Sequence, residues 1–166
     1  DSKKWRKKHL SSIEQSYRNS PYYDDIYPHI NSIISSDITN LSELNIKIIK
    51  LFASMLSLDT KFHIASHIEN SAQDKVKRLV DFCKIQQCNS YYSPAGSLDY
   101  LDKVENKILF DSADIDIYFQ QFEIIPYPQR QQEFMPYISA LDALMYCGAK
   151  ETRNIIQKGS HKVKLK

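Results

Sequence analysis

The stretch Ser90 to Leu101, SYYSPAGSLDYL, narrows the choice of fold more than any other part of the chain. A short β-prone run leads into a Pro-x-Gly loop and then a helical start, the order in which an α/β domain sets strand, loop and helix. At such a junction the first N–H groups of a helix are free for a ligand, which makes Gly96 and Ser97 candidate anion-binding residues. One glycine falls short of a dinucleotide or phosphate-loop fingerprint, and a plain turn is the competing reading.

The flanking runs extend the α/β reading. KFHIA, residues 61–65, has the make-up of a strand. Ser71-x-x-Asp74 is a capping-box variant opening a helix with Val76, Leu79, Val80 and Cys83 on its buried side. Ser90 to Ser93 follows as the next strand, so strand, helix and strand read as a βαβ unit with parallel strands and a right-handed crossover. IDIYF, residues 115–119, alternates as a half-buried strand does. The expected fold is α/β: a small, mostly parallel Rossmann-like sheet flanked by helices, with a helix-rich N-terminal half.

In that half, Arg6, His9, Leu10, Ile13 and Tyr17 share one side of a helix, and Tyr22 to Ile34 is helical with a kink or a break at Pro28. Asn40-x-x-Glu43 opens a helix whose stripe is Leu44, Ile48, Leu51, Phe52 and Met55. Near the other end, Ser139-x-x-Asp142 caps a helix that turns Leu141, Leu144 and Met145 inward and stops at Gly148, and a short helix then runs to about Gln157. Residues 1–158 form a single domain in this reading, and 159–166 a flexible basic tail. A chain that opens on Asp and runs straight into a charged helix is expected to lack an N-terminal portion.

At 166 residues the chain can bury a core without staples. No apolar run is long enough to span a bilayer and the start lacks a signal-peptide core, which points to the cytoplasm. Cys83, Cys88 and Cys147 contain no C-x-x-C pair, so neither a disulfide framework nor a zinc ribbon is indicated. His63 and His67 lie four apart, but along a strand that is about 13 Å, and no third ligand is near, so no metal is expected. Net charge is +2, with nine of the 22 basic residues in segments 1–8 and 158–166. Basic ends on an acidic body argue against a nucleic-acid binder.

The segment QFEIIPYPQRQQEFMPYI carries Pro126, Pro128 and Pro136 and is neither a central strand nor a helix. A long aromatic, Pro-rich loop in a compact domain commonly builds a site or a lid. Within it, Gln129 can both donate and accept, and Arg130 presents a planar fork to phosphate or carboxylate. His9, beside Trp5 and Arg6, is a second polar group, with a packed histidine as the competing reading.

Taken together, Trp5-Arg6-x-x-His9, Glu14-x-x-Tyr17, Pro21-Tyr22-Tyr23, Asn40-Leu41, Asp74 with Arg78, Tyr92 with Gly96 and Tyr100, Tyr127-Pro-Gln129, Phe134-x-Pro136 and Ser139-x-x-Asp142-x-Leu144 resemble the WbqC-like protein family over nearly the whole chain. Members of that family normally begin with a further strand and a Gln-Pro-x-Tyr/Phe-x-Pro-x-x-Gly-Tyr motif, which this sequence lacks. The resemblance implies a part in bacterial surface-polysaccharide (O-antigen) synthesis, with transfer of a glycyl or other acyl group to an amino sugar that is nucleotide- or lipid-linked. On that reading Gly96 and Ser97 offer backbone donors to phosphate, and Arg130 and Arg6 neutralise it. Tyr92, Tyr100 or Tyr127 stack on sugar or base, Gln129 binds substrate, and His9 or Asp142 is the general base. For Asp142 a helix-capping role beside Ser139 competes. The sequence leaves the cofactor unknown, and other polysaccharide-biosynthesis proteins are the expected partners. The alternative is a non-catalytic scaffold docking through the Pro-rich loop; a Rossmann-type nucleotidyl-transfer enzyme ranks last, on fold analogy alone.

Overall fold

A computed structural model of the chain describes residues 4–165. They form two compact units, one from the residues up to Lys61 together with Ile124–Lys158, the other from Phe62–Glu123 and Gly159 onward.

The first unit is helical. It holds α1 (Lys4–Tyr17), α2 (Tyr23–Ile34), α3 (Leu41–Met55) and α7 (Ala140–Gly159, whose last residue belongs to the other unit). The α2 stripe Ile26, Ile30 and Ile34 packs with Leu56, Leu144 and Met145, and Leu10, Ile13 and Tyr17 of α1 close over them. Fully burying an isoleucine stabilises by roughly 1.5–3 kcal/mol, so the four-residue spacing of that stripe explains why α2 is one helix with Pro28 inside it. Of the two outcomes expected at Pro28, a kink or a break, the break does not occur. Proline removes one N–H bond, to the Asp24 carbonyl, and the packed face outweighs that single loss.

Local capping chemistry holds where it was expected at Asn40, whose side chain accepts from the Glu43 N–H at 3.1 Å. Gly148 also ends helical geometry as expected. Its φ of 72° and ψ of 172° split α7 into two helical pieces.

The second unit holds α4 (Lys75–Ile85), β1 (Ser90–Pro94), α5 (Leu98–Leu101), α6 (Val104–Asp111), β2 (Asp116–Phe122) and β3 (Ser160–Lys164). Asp74, not Ser71, is the N-cap of α4, accepting from the Val76 and Lys77 N–H groups at 2.9 and 2.8 Å. Val76, Val80 and Cys83 are buried as the stripe requires, against Leu101, Phe110, Ile117 and Phe119.

Three expectations are corrected here. Residues 61–65 form no strand: they are exposed and lead into a 3-10 turn at Ala65–His67, since β-prone composition makes a strand only where tertiary context supplies a neighbour. The βαβ unit therefore lies one element later, with β1 parallel to β2 across α5 and α6. The sheet is also mixed and not mostly parallel: the described residues give a three-stranded sheet in the order β1-β2-β3, with β3 antiparallel to β2. Its third strand comes from the supposed loose tail. The backbone of that strand pairs with β2, and Lys164 meets Asp116 at 2.7 Å while Lys162 lies 3.5 Å over the Tyr118 ring, so lysines that made the tail look solvated add side-chain contacts to the ladder.

Gly159 precedes β3 at a close approach, where a Cβ would run into the Glu123 carbonyl. That carbonyl's own residue donates its N–H to the Gly159 carbonyl at 2.8 Å. Gly159→Val is accordingly expected to detach β3, lowering stability by about 2–3 kcal/mol in a denaturant titration.

Candidate functional site

The helical unit holds a cleft of about 200 Å³ whose wall includes Tyr17, Gln129, Arg130, Asp142 and Tyr146. Asp142 is in the first turn of α7 and only 5% exposed. One carboxylate oxygen, Oδ2, accepts from the Tyr127 hydroxyl at 3.0 Å and from Gln129 Nε2 at 3.1 Å. A capping role would have turned this carboxylate to the helix N–H groups. Instead the Ser139 hydroxyl accepts from the Leu141 N–H at 3.2 Å, and Asp142 faces the loop.

Gln129 does more than reach Asp142. Its Oε1 accepts from the Met135 N–H at 2.7 Å and its Nε2 donates to the Met135 carbonyl at 3.0 Å, so one amide mimics a strand partner and clasps residues 130–134 into a closed loop. Phe134 supports the clasp, its ring 5.3 Å from that of Tyr127. Arg130 stands on this loop, exposed, with no hydrogen-bond or ion-pair partner among the described residues.

Three phenols surround the carboxylate, and each is harder to ionise than usual. Burial is the main cause for Tyr17, followed by the Asp142 charge. Burial likewise pushes Tyr127 up to about 12, against the Gln129 hydrogen bond and with the Asp142 charge. Tyr146 is raised by burial and Asp142 and pulled back by Arg130. A phenol with a folded pKa above its ordinary value of 10 contributes stability below that pH and loses it as pH rises through the folded pKa. The window for Tyr127 is thus from about 10 to about 12. An alkaline titration of the tyrosinate absorbance should show late-ionising phenols, one fewer in Tyr127→Phe, with stability falling across that window. If Tyr127→Phe leaves the curve unchanged, the assignment is wrong.

The other expected site residues are not among those lining this cleft. His9 is exposed and lines a separate cleft of about 360 Å³ with Trp5, Arg6, Ile38 and Leu44. Its Nδ1–H donates to the Trp5 carbonyl at 3.0 Å, which leaves Nε2 as the free ring nitrogen. Arg6 is buried; Nη1 donates to the Ile34 carbonyl at 2.7 Å, Nη2 donates to the Ile38 carbonyl, and the guanidinium lies 4.6 Å from the Trp5 ring centroid. Tyr92, Gly96, Ser97 and Tyr100 all belong to the sheet unit. Gly96 and Ser97 sit in a 3-10 turn, and a side chain at Gly96 would meet open space. Tyr92 is exposed, while the Tyr100 ring lies under Lys75 at 3.7 Å.

The structure therefore joins Tyr127, Gln129, Arg130 and Asp142. Sequence reasoning missed Tyr17 and Tyr146 as members of this cluster. The four-residue spacing of Asp142 and Tyr146 on one helix face was the available signal for the second. Among the described residues, no group of three potential metal ligands is present.

No curated protein and no solved structure matches the chain. A family model does, over residues 1–154, in a span that contains every residue of the Asp142 cleft, and by that match the chain belongs to the WbqC-like protein family.

Proposed function

We propose that this chain is a transferase of bacterial surface-polysaccharide (O-antigen) synthesis, moving a glycyl or other acyl group onto the amine of a nucleotide- or lipid-linked amino sugar. One observation carries the reading: a buried carboxylate, Asp142, fixed by Tyr127 and Gln129, opens on the same cleft as the unpaired guanidinium of Arg130. A carboxylate in that setting suits an ammonium or amine, and an unpaired guanidinium suits the sugar's phosphate.

In the reaction, the amine nitrogen attacks the carbonyl carbon of an activated acyl ester. A new C–N bond forms as the bond to the leaving group breaks. Asp142 takes the proton the nitrogen sheds and passes it to the departing oxygen or sulfur, so charge and atoms balance. Tyr127 and Gln129 hold that carboxylate in place through both transfers. The cytoplasm and other polysaccharide-biosynthesis proteins are the setting this reading calls for. Among the described residues, no helix is long and apolar enough to cross a membrane.

Calorimetry with glucosamine 1-phosphate and its N-acetylated counterpart tests it. The free amine should bind about tenfold more tightly, Asp142→Asn should erase that preference, and Arg130→Ala should weaken both ligands about tenfold. Equal binding of the two sugars, unaffected by Asp142→Asn, would sink the reading.

A further inference from the structure

Three residues at and just after the end of the Arg130 loop have side chains with no role in the reaction above. Met135, Tyr137 and Ile138 are 48%, 91% and 38% exposed, a run of large apolar side chains facing water. Met135 and Ile138 line the Asp142 cleft together with Arg130. Tyr137, between them in sequence, has a φ of 62°, a left-handed backbone that a tyrosine seldom adopts. Burial of its ring does not offset that strain, since the ring is almost wholly in solvent.

We propose that the cleft takes an amphiphile, a phosphate ester of a long apolar chain, with the phosphate on Arg130 and the start of the chain along Met135, Tyr137 and Ile138. The inference rests on the reading that Arg130 receives the substrate's phosphate, and it selects the lipid-linked form over the nucleotide-linked one. Complementarity supports the choice. An unpaired cation meets the head, and thioether, aliphatic and aromatic surface meets the tail. A nucleoside would need donors and acceptors for the base edge; Met135, Tyr137 and Ile138 supply only the tyrosine hydroxyl, and of the cleft residues Ser16, Gln129 and Gln131, Gln129 is already engaged by Asp142 and Met135. The clasp by Gln129 holds the backbone of Met135, so head and tail positions are fixed relative to one another.

The experiment is calorimetry on the full chain with inorganic phosphate, uridine monophosphate, and hexyl, octyl and decyl phosphate, the alkyl esters kept below their micelle concentrations. Partial burial of each added methylene predicts that affinity rises about twofold per methylene along the alkyl series. Tyr137→Asn should make the series shallower while the affinity for inorganic phosphate is kept; Tyr137 is not among the cleft-lining residues and asparagine tolerates the left-handed backbone, so the fold is not stressed. Arg130→Ala should weaken every member about tenfold. A flat alkyl series in the unmodified chain, with phosphate still bound, overturns the lipid inference and leaves the phosphate reading standing. Uridine monophosphate binding more tightly than decyl phosphate, and weakened by Tyr137→Asn, also overturns it in favour of a base platform. Loss of all phosphate binding overturns both readings together.

Discussion

Gly148→Ala is expected to lower the stability of this protein by about 3–5 kcal/mol, a large share of the total for a domain of this size. Two costs combine. The φ and ψ of Gly148 lie in a region that only glycine occupies at low energy, worth about 1–3 kcal/mol by itself. A Cβ there would also come within 2.6 Å of the Tyr22 ring. The Tyr22 N–H donates to the Met145 carbonyl at 3.1 Å, which holds the backbone beneath the ring, so the clash is relieved only by a change of the Tyr22 rotamer. Chemical denaturation should show a lower midpoint with an unchanged slope. Adding Tyr22→Ala to the variant should recover the steric part and not the backbone part. An unshifted midpoint in Gly148→Ala would mean that the bend in α7 does not exist in solution.

Arg6→Ala should cost about 3 kcal/mol and leave phosphate affinity unchanged in the folded fraction. The guanidinium is 5% exposed, and it satisfies the carbonyls of Ile34 and Ile38 at and beyond the end of α2. Truncation leaves two acceptors without donors, at about 1–3 kcal/mol for each buried one. Arg6→Lys should recover only part of the loss, because an ammonium cannot reach two divergent carbonyls as a planar fork does. Full stability together with lost phosphate binding would instead put Arg6 in the substrate site.

How well the sequence disclosed this structure follows from how local each feature is. Asn40 and the Val76, Val80 and Cys83 stripe were readable because a cap and a helix face are decided within one or two turns. Strand pairing is not local. Residues 61–65 have β-prone chemistry yet form no strand, whereas Ser160–Lys164 have basic, tail-like chemistry and pair with β2. The site followed the same rule. The amphoteric chemistry of Gln129 was legible, but not that Met135 and Asp142 would use it. For Asp142 the spacing from Ser139 pointed to a cap, and only the fold of residues 124–138 could bring Tyr127 to its carboxylate. Arg6 looked like a cation for phosphate because sequence cannot show which carbonyls α2 leaves bare.

Because β3 supplies the second neighbour of β2, chain length controls more than stability. A version ending at residue 158 would turn the middle strand of the sheet into an edge, baring the N–H and C=O groups that Ser160–Lys164 now occupy. Such an edge, carrying Phe119 and Phe122, is a template for pairing with another copy. Trimming the molecule to the 154 residues that the family shares would therefore be expected to yield aggregates instead of a smaller soluble domain.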